Sequence, residues 1–225
     1  TADGSEGLNG EANLTFDGNA LVVKGTSPSI TIGDAGAEDT KIVFDGNAQD
    51  YYMGLDDTDD DLKIGLGSAV GTTAHMVFNE AGEITKPLQP AFLVQPTSTQ
   101  SNIANDGSYV TIVLGTERFD AGGNFASNTF TAPVTGKYCL SASLYMAAMD
   151  SAATYMQIYL RTSNRDYVNL LHTAGFDVDG YNTMHITVLA DMDAADTCTL
   201  VALQSEGTAQ TDIGTTSWFS GWLVS

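Results

Sequence analysis

The run Ser217–Val224 limits the possible folds more than any other stretch of this chain. In a strand, successive side chains point to opposite faces. One face of this run carries Trp218, Trp222 and Val224, and the other carries Phe219 and Leu223. A sandwich strand with one wet face alternates apolar with polar residues, and this one does not. Lys137–Met146 repeats the pattern, with Tyr138, Leu140, Leu144 and Met146 on one side and Cys139 and Tyr145 on the other. Apolar residues on both faces predict that the outer face is covered as well. A self-complementary contact among three copies of the chain is the simplest cover. Tyr138, Tyr145, Trp218, Phe219 and Trp222 are therefore the expected core and trimer positions.

The surrounding sequence is β throughout. Strands are predicted at Ala91–Val94, Tyr109–Leu114, Phe130–Thr131, Lys137–Met146, Thr154–Arg161, Tyr167–His172, Thr183–Leu189, Thr197–Gln204 and Ser217–Val224. Turn signals such as Asn105-Asp106-Gly107, Gly122-Gly123-Asn124 and Glu206-Gly207 separate them. Many short strands at this spacing predict a sandwich or jelly roll. Helix is limited to one turn at most, within Met146–Ala153.

The first part of the chain reads differently. Leu14-Thr15-Phe16-Asp17-Gly18-Asn19-Ala20 returns as Ile42-Val43-Phe44-Asp45-Gly46-Asn47-Ala48, and more weakly as Met76-Val77-Phe78-Asn79-Glu80-Ala81-Gly82. Each copy is a short apolar run entering an Asp/Asn/Gly turn, which predicts a hairpin. Ala20–Val23 and Ser29–Ile32 are also strand-like. The copies are unevenly spaced, so no regular solenoid is expected. So small an apolar stock buries little surface in one copy, and a trimeric stalk in which three copies share a core resolves the shortage. Pro87, Pro90 and Pro96 mark a stiff connector. The expected organisation is a β-rich, turn-rich stalk module at 1–86, a connector with the first strand at 87–97, and a jelly-roll head at 90–225.

Charge and motifs exclude several functions. With 28 acids against 8 bases the net charge is −20, a surface that repels nucleic-acid phosphates and anionic lipids. No apolar run is long enough to span a membrane, and Thr1-Ala2-Asp3-Gly4 reads as a start cut from a longer chain or trimmed after expression, not as a signal peptide. Cys139 and Cys198 suit two reduced, half-buried thiols, with a single bridge the alternative. His75, His172 and His185 lack ligand spacing, and no nucleophile elbow or phosphate loop occurs. Asp177 and Asp179 offer carboxylates for glycan cleavage, but beside Gly180 they read first as turn formers. No cofactor is expected; the acidic run Asp56, Asp57, Asp59, Asp60, Asp61 is a weak candidate for Ca2+ and otherwise a solvated turn. The loop 162–167 and the segment 176–181 combine aromatic, amide and charged groups suited to sugars. Arg161, Asn164, Arg165, Tyr167, Asp177 and Tyr181 are the receptor-binding candidates.

Several pieces of the second half occur in a family's order. Phe125 to Tyr138, containing Phe130-Thr131-Ala132-Pro133-Val134-Thr135-Gly136-Lys137-Tyr138, resembles the Phe-x-Ala-Pro-x-x-Gly-x-Tyr pattern of the complement C1q/TNF superfamily head. Phe119-Asp120 and Gly123-Asn124 stand where that family has its Phe-Asp and Gly-Asn pairs. Met192 to Leu200 is similar to its Gly-Asp-x-Val-x-Leu run without the glycine, and Trp218 to Val224 to its terminal Phe-Ser-Gly-aromatic-Leu strand. The resemblance, over roughly Pro90–Ser225, implies a ten-stranded jelly roll that trimerises about an apolar axis. Separately, Phe44 to Gly67, including Tyr51-Tyr52-Met53-Gly54-Leu55-Asp56-Asp57, resembles a stretch common in bacteriophage tail-fibre proteins. The collagen Gly-x-y stalk usual before animal heads does not occur.

Together these readings predict an all-β, non-enzymatic fibre or spike protein of a virion. It would be assembled in the host cytoplasm as a homotrimer beside other fibre, tail or capsid proteins, and exposed on the extracellular particle. Its head would touch a host glycan or envelope protein. A capsid-decorating or purely architectural fibre is the alternative, and a glycan-cleaving tailspike a third.

Overall fold

A computed structural model of the chain describes Leu14–Phe16 and residues 19–225, with side chains from 19 onward. The first four residues and the Asp17-Gly18 turn of the first repeat lie outside the described residues. The described residues contain no helix, and the chain divides between Thr85 and Lys86.

The first unit holds a hairpin of β1 (Leu14–Phe16) with β2 (Leu21–Val23) and an antiparallel meander. The meander runs in order through β3 (Thr40–Phe44), β4 (Tyr51–Asp56), β5 (Asp61–Leu66), β6 (Ala74–Phe78) and β7 (Ile84–Thr85). All three repeat copies end a strand that pairs with the next one, as Phe16 with Leu21, Phe44 with Tyr51, and Phe78 with Ile84. The predicted strand at Ser29–Ile32 is instead irregular, with Ile30 and Ile32 exposed.

The two faces of the meander differ sharply. One face carries three cross-strand rows: Phe44–Tyr51–Leu66, Ile42–Met53–Ile64–Met76, and Thr40–Leu55–Leu62–Phe78–Ile84. Every residue in them except Thr40 is apolar, and all are exposed or half-buried. The other face carries Tyr52, Asp56 and Lys63, all buried. There the segment 67–73 folds over the sheet. Gly71 N donates to Tyr52 Oη at 3.1 Å, and Val70 lies so close that a Cβ on Gly54 would stand 2.9 Å from Val70 Cγ2. Lys63 Nζ donates to Asp56 Oδ2 at 2.7 Å and Asp59 Oδ2 at 2.5 Å.

The second unit is a jelly roll of two sheets. One has the order β10 (Thr116–Ala121), β8 (Ala91–Gln95), β19 (Trp218–Leu223), β13 (Gly136–Met149), β16 (Gly180–Met192), with β18 (Asp212–Ile213) beside β13. The other has the order β11 (Phe125–Ala126), β12 (Thr129–Thr131), β17 (Thr197–Ser205), β14 (Tyr155–Thr162), β15 (Asp166–His172), with β9 (Val110–Thr111) beside β17. Ten strands form the two main paths, and β9 and β18 are two-residue additions. The run predicted at Tyr109–Leu114 pairs over only two residues, because side chains take its later donors. Val113 N bonds Gln100 Oε1, and Leu114 N bonds Asn128 Oδ1. The possible helical turn at Met146–Ala153 is strand through Met149, followed by a turn.

The core lies between the two sheets. Phe92 stacks on Phe130 with centroids 4.7 Å apart and meets Phe219 edge-on at 4.9 Å. Such pairs add about 0.5–1.5 kcal/mol beyond area burial. Leu140, Leu144, Met156, Ile158 and Leu200 fill the rest. Gly221 explains the glycine of the last strand, since a Cβ there would stand 2.7 Å from both Leu140 Cδ2 and Phe92 Cε1. Tyr138 is buried, and its hydroxyl donates to Val134 O at 2.8 Å across the Pro133 turn. Cys139 and Cys198 are both free; Cys198 is in the core, where burial pushes its thiol pKa up.

The missing glycine of the Met192–Leu200 run has a structural counterpart. Ala195 takes φ +74°, a left-handed conformation that costs an L-residue about 1–2 kcal/mol. Ala195→Gly is expected to stabilise the head by about 1 kcal/mol. Its urea midpoint should rise with the slope unchanged, and an equal or lower midpoint would refute this strain.

Candidate functional site

The outer face of the β10-β8-β19-β13-β16 sheet is built by the strand parity that put Phe92, Phe219, Tyr138 and Leu140 inside. The alternate residues point away from the core. In register they form the row Ala91–Trp222–Cys139–Leu189 and, next to it, Phe119–Leu93–Ser220–Ser141–Thr187. Trp222 is 46% exposed, Phe119 51% and Leu189 59%. Leu93, Phe119, Trp218 and Trp222 line an open groove of about 870 Å3, together with Arg118 and Gln95. Arg118 Nε donates to Gln95 Oε1 at 2.6 Å, which holds the one cation of the groove lining to the side.

The five core and trimer candidates fall on two sides of this sheet. Tyr138 and Phe219 are fully buried between the sheets, Trp218 and Trp222 are on the outer face, and Tyr145 is half-buried there. Sequence reasoning missed Leu93, Phe119 and Leu189. Leu189 was detectable, because it stands out of phase with Met184, Ile186 and Val188.

The receptor-binding candidates are separated to opposite ends of the head. The end at which the chain comes in, where Leu223 N bonds Pro90 O, holds Arg161, Asn164, Arg165 and Tyr167. The side chains of Arg161, Asn164 and Arg165 are already partnered. Arg165 pairs with Asp191 at 3.1 Å, and Arg161 pairs with Asp166 at 3.1 Å while lying 4.1 Å from the Tyr109 ring centroid. Asn164 donates to Asp196 Oδ2 and Asp191 O. Tyr167 packs against the core, and desolvation pushes its phenol pKa up.

Asp177 and Tyr181 sit at the far end, where the loops after β8, β13, β15 and β17 meet. Asp179 accepts from Ser151 N and Oγ, each at 2.8 Å, and from Gln210 Nε2 at 2.7 Å, which hold its carboxyl below the ordinary range. Buried Gln204 donates to Glu206 O and Thr208 O and accepts from Thr211 Oγ1. Buried Asp150 accepts from Ala152 N and Thr208 N. On this braced frame Phe176, Val178 and Tyr181 are exposed, Tyr181 by 74%, and the Tyr181 ring stacks on Tyr145 at 6.0 Å. Asp179 is thus a loop brace, and Asp177 an exposed acid beside it.

Among the described residues no group of three or more His, Cys, Asp or Glu side chains is placed to hold a metal ion. In the acidic run, Asp56 and Asp59 turn onto the Lys63 ammonium while Asp57 and Asp60 are exposed and Asp61 half-buried. Among the described residues no helix is long and apolar enough to cross a membrane.

No family model matches the chain, and no curated protein matches it. Solved structures do. The globular domain of zebrafish complement 1qA protein aligns at 13% identity and TM-score 0.46, covering 61% of this chain and 98% of that one. Murine APRIL at pH 8.0 aligns at 10% identity and TM-score 0.45, covering 60% and 99%.

Proposed function

We propose that the chain is a non-enzymatic fibre or spike component of a virion, a homotrimer whose heads close on one another through the outer sheet face. In this reading the far-end loops attach to a glycan of the bacterial surface. The observation that carries it is the Trp222–Cys139–Leu189 row beside Phe119 and Leu93, an apolar face on a chain of net charge −20. A monomer has no reason to keep a patch of this kind wet. The tail-fibre resemblance of residues 44–67 supports the virion assignment. Attachment at the far end is supported by the hydrogen-bonded loops among which Phe176, Val178 and Tyr181 are exposed, since open aromatic rings beside polar groups suit sugar stacking. Three sites per trimer turn weak single contacts into firm adhesion. Other virion proteins would hold the base.

The test uses the full chain and a panel of purified bacterial lipopolysaccharides and capsular polysaccharides. Saturable binding to at least one is expected, weakened tenfold or more by Phe176→Ala with Tyr181→Ala and unchanged by Arg165→Ala. No binding anywhere in the panel favours the purely architectural reading. New reducing ends in the incubation would establish the glycan-cleaving one.

A further inference from the structure

We infer that the apolar face of the stalk meander is an interface with two further copies of the same face, three sheets closing around one shared core. The inference rests on the trimeric reading of the head and adds to it which stalk surface is buried, and by what.

The face has the composition of a core. Its middle row is Ile42–Met53–Ile64–Met76, and none of its three rows holds a charge. The single polar member, Thr40, is at one end of an outer row. Phe44 is 61% exposed. The reverse face cannot serve instead, because the segment 67–73 already covers it and its centre is an ion pair. The sheet therefore folds with its polar side closed by its own chain and its apolar side left open. A lone domain would lose nothing by making these positions polar.

The chemistry of the occupant follows from three observations. The absence of charge on the face gives no purchase to an acidic or basic peptide. Residues 1–86 carry 16 acids against 4 bases, which repels an anionic lipid surface. Tethering then favours copies of the chain over an independent partner. Five residues, Lys86–Pro90, join β7 to β8. Associated heads would hold three such faces at an effective concentration on the order of millimolar, so the faces meet one another ahead of any free partner.

Two methionines on the face report on it directly. Peroxide converts an accessible thioether to the sulfoxide and spares a buried one. The full chain is treated with hydrogen peroxide beside free methionine, Met53 and Met76 sulfoxides are followed by peptide mass spectrometry, and the mass of the same sample is measured by light scattering. The expected result is a three-chain mass with Met53 oxidised at least tenfold more slowly than free methionine. A three-chain mass with Met53 reacting within threefold of free methionine overturns the stalk interface and leaves the head reading standing. A one-chain mass overturns both, whatever the oxidation rate.

Discussion

Trp222→Asp is expected to convert the assembly into well-folded single chains. The indole is on the outer face of β19, 46% exposed on one subunit and opposite Cys139 in register. In a lone chain an aspartate there is solvated and harms nothing. In the closed trimer it would be buried three times over against Leu189 and Phe119, and Arg118, the one cation of the groove lining, is already bonded to Gln95. Losing an aromatic anchor at the centre of an interface costs about 2 kcal/mol or more, and three buried carboxylates add to it. Light scattering should fall from three chains to one while the circular dichroism of the sheets persists. Phe219→Asp is the control from the same strand. That ring is fully buried between the sheets against Phe92, so its replacement should unfold the head. A Trp222→Asp chain that keeps the wild-type mass would contradict the placement of the interface.

Lys63→Met is expected to destabilise the stalk meander by about 3–5 kcal/mol, because it leaves the buried Asp56 carboxylate without its cation. A unit of about this size has little stability to spare. Its amide exchange should rise by orders of magnitude while that of the head is unchanged. Adding Asp56→Asn should recover most of the loss, since removing both charges removes the unpaired one. The pair also sets a pH window. The hydrogen bond from Lys63 holds the Asp56 carboxyl below its ordinary 3.8, so its contribution is complete above 3.8 and is lost as pH falls through the lower folded value. The bonds to Asp56 and Asp59 hold Lys63 above its ordinary 10.5, so its contribution is complete below 10.5 and is lost at more alkaline pH. Amide exchange that is equally slow in both single and double variants would show that the pair carries no stability.

Much of the head was legible because strand parity is a rigid code. Phe219 against Trp222, and Tyr138 against Cys139, fell on the faces that their alternation predicts. Charged positions hid the rest. β10 carries Glu117 and Arg118 around Phe119 and does not read as a strand, yet it forms the sheet edge that places Phe119 beside Leu93. The stalk could not be read this way, since the parity that looks like core, Tyr51, Met53 and Leu55, is the open one. What closes the other side is the segment 67–73, and no periodicity announces a loop that folds back. The receptor-binding candidates were grouped by composition, but which loops share an end depends on the winding of the chain between the two sheets. That winding puts Arg165 beside Asp191 and Tyr181 at the opposite end of the same strand.

The solution mass of the wild-type chain, measured by light scattering at micromolar concentration, bears most directly on whether copies cover the outer face of the head. Three times 23.7 kDa is the expected value. A stable 23.7 kDa species would mean that Trp222, Phe119 and Leu189 remain in water, and the proposed interface would not exist.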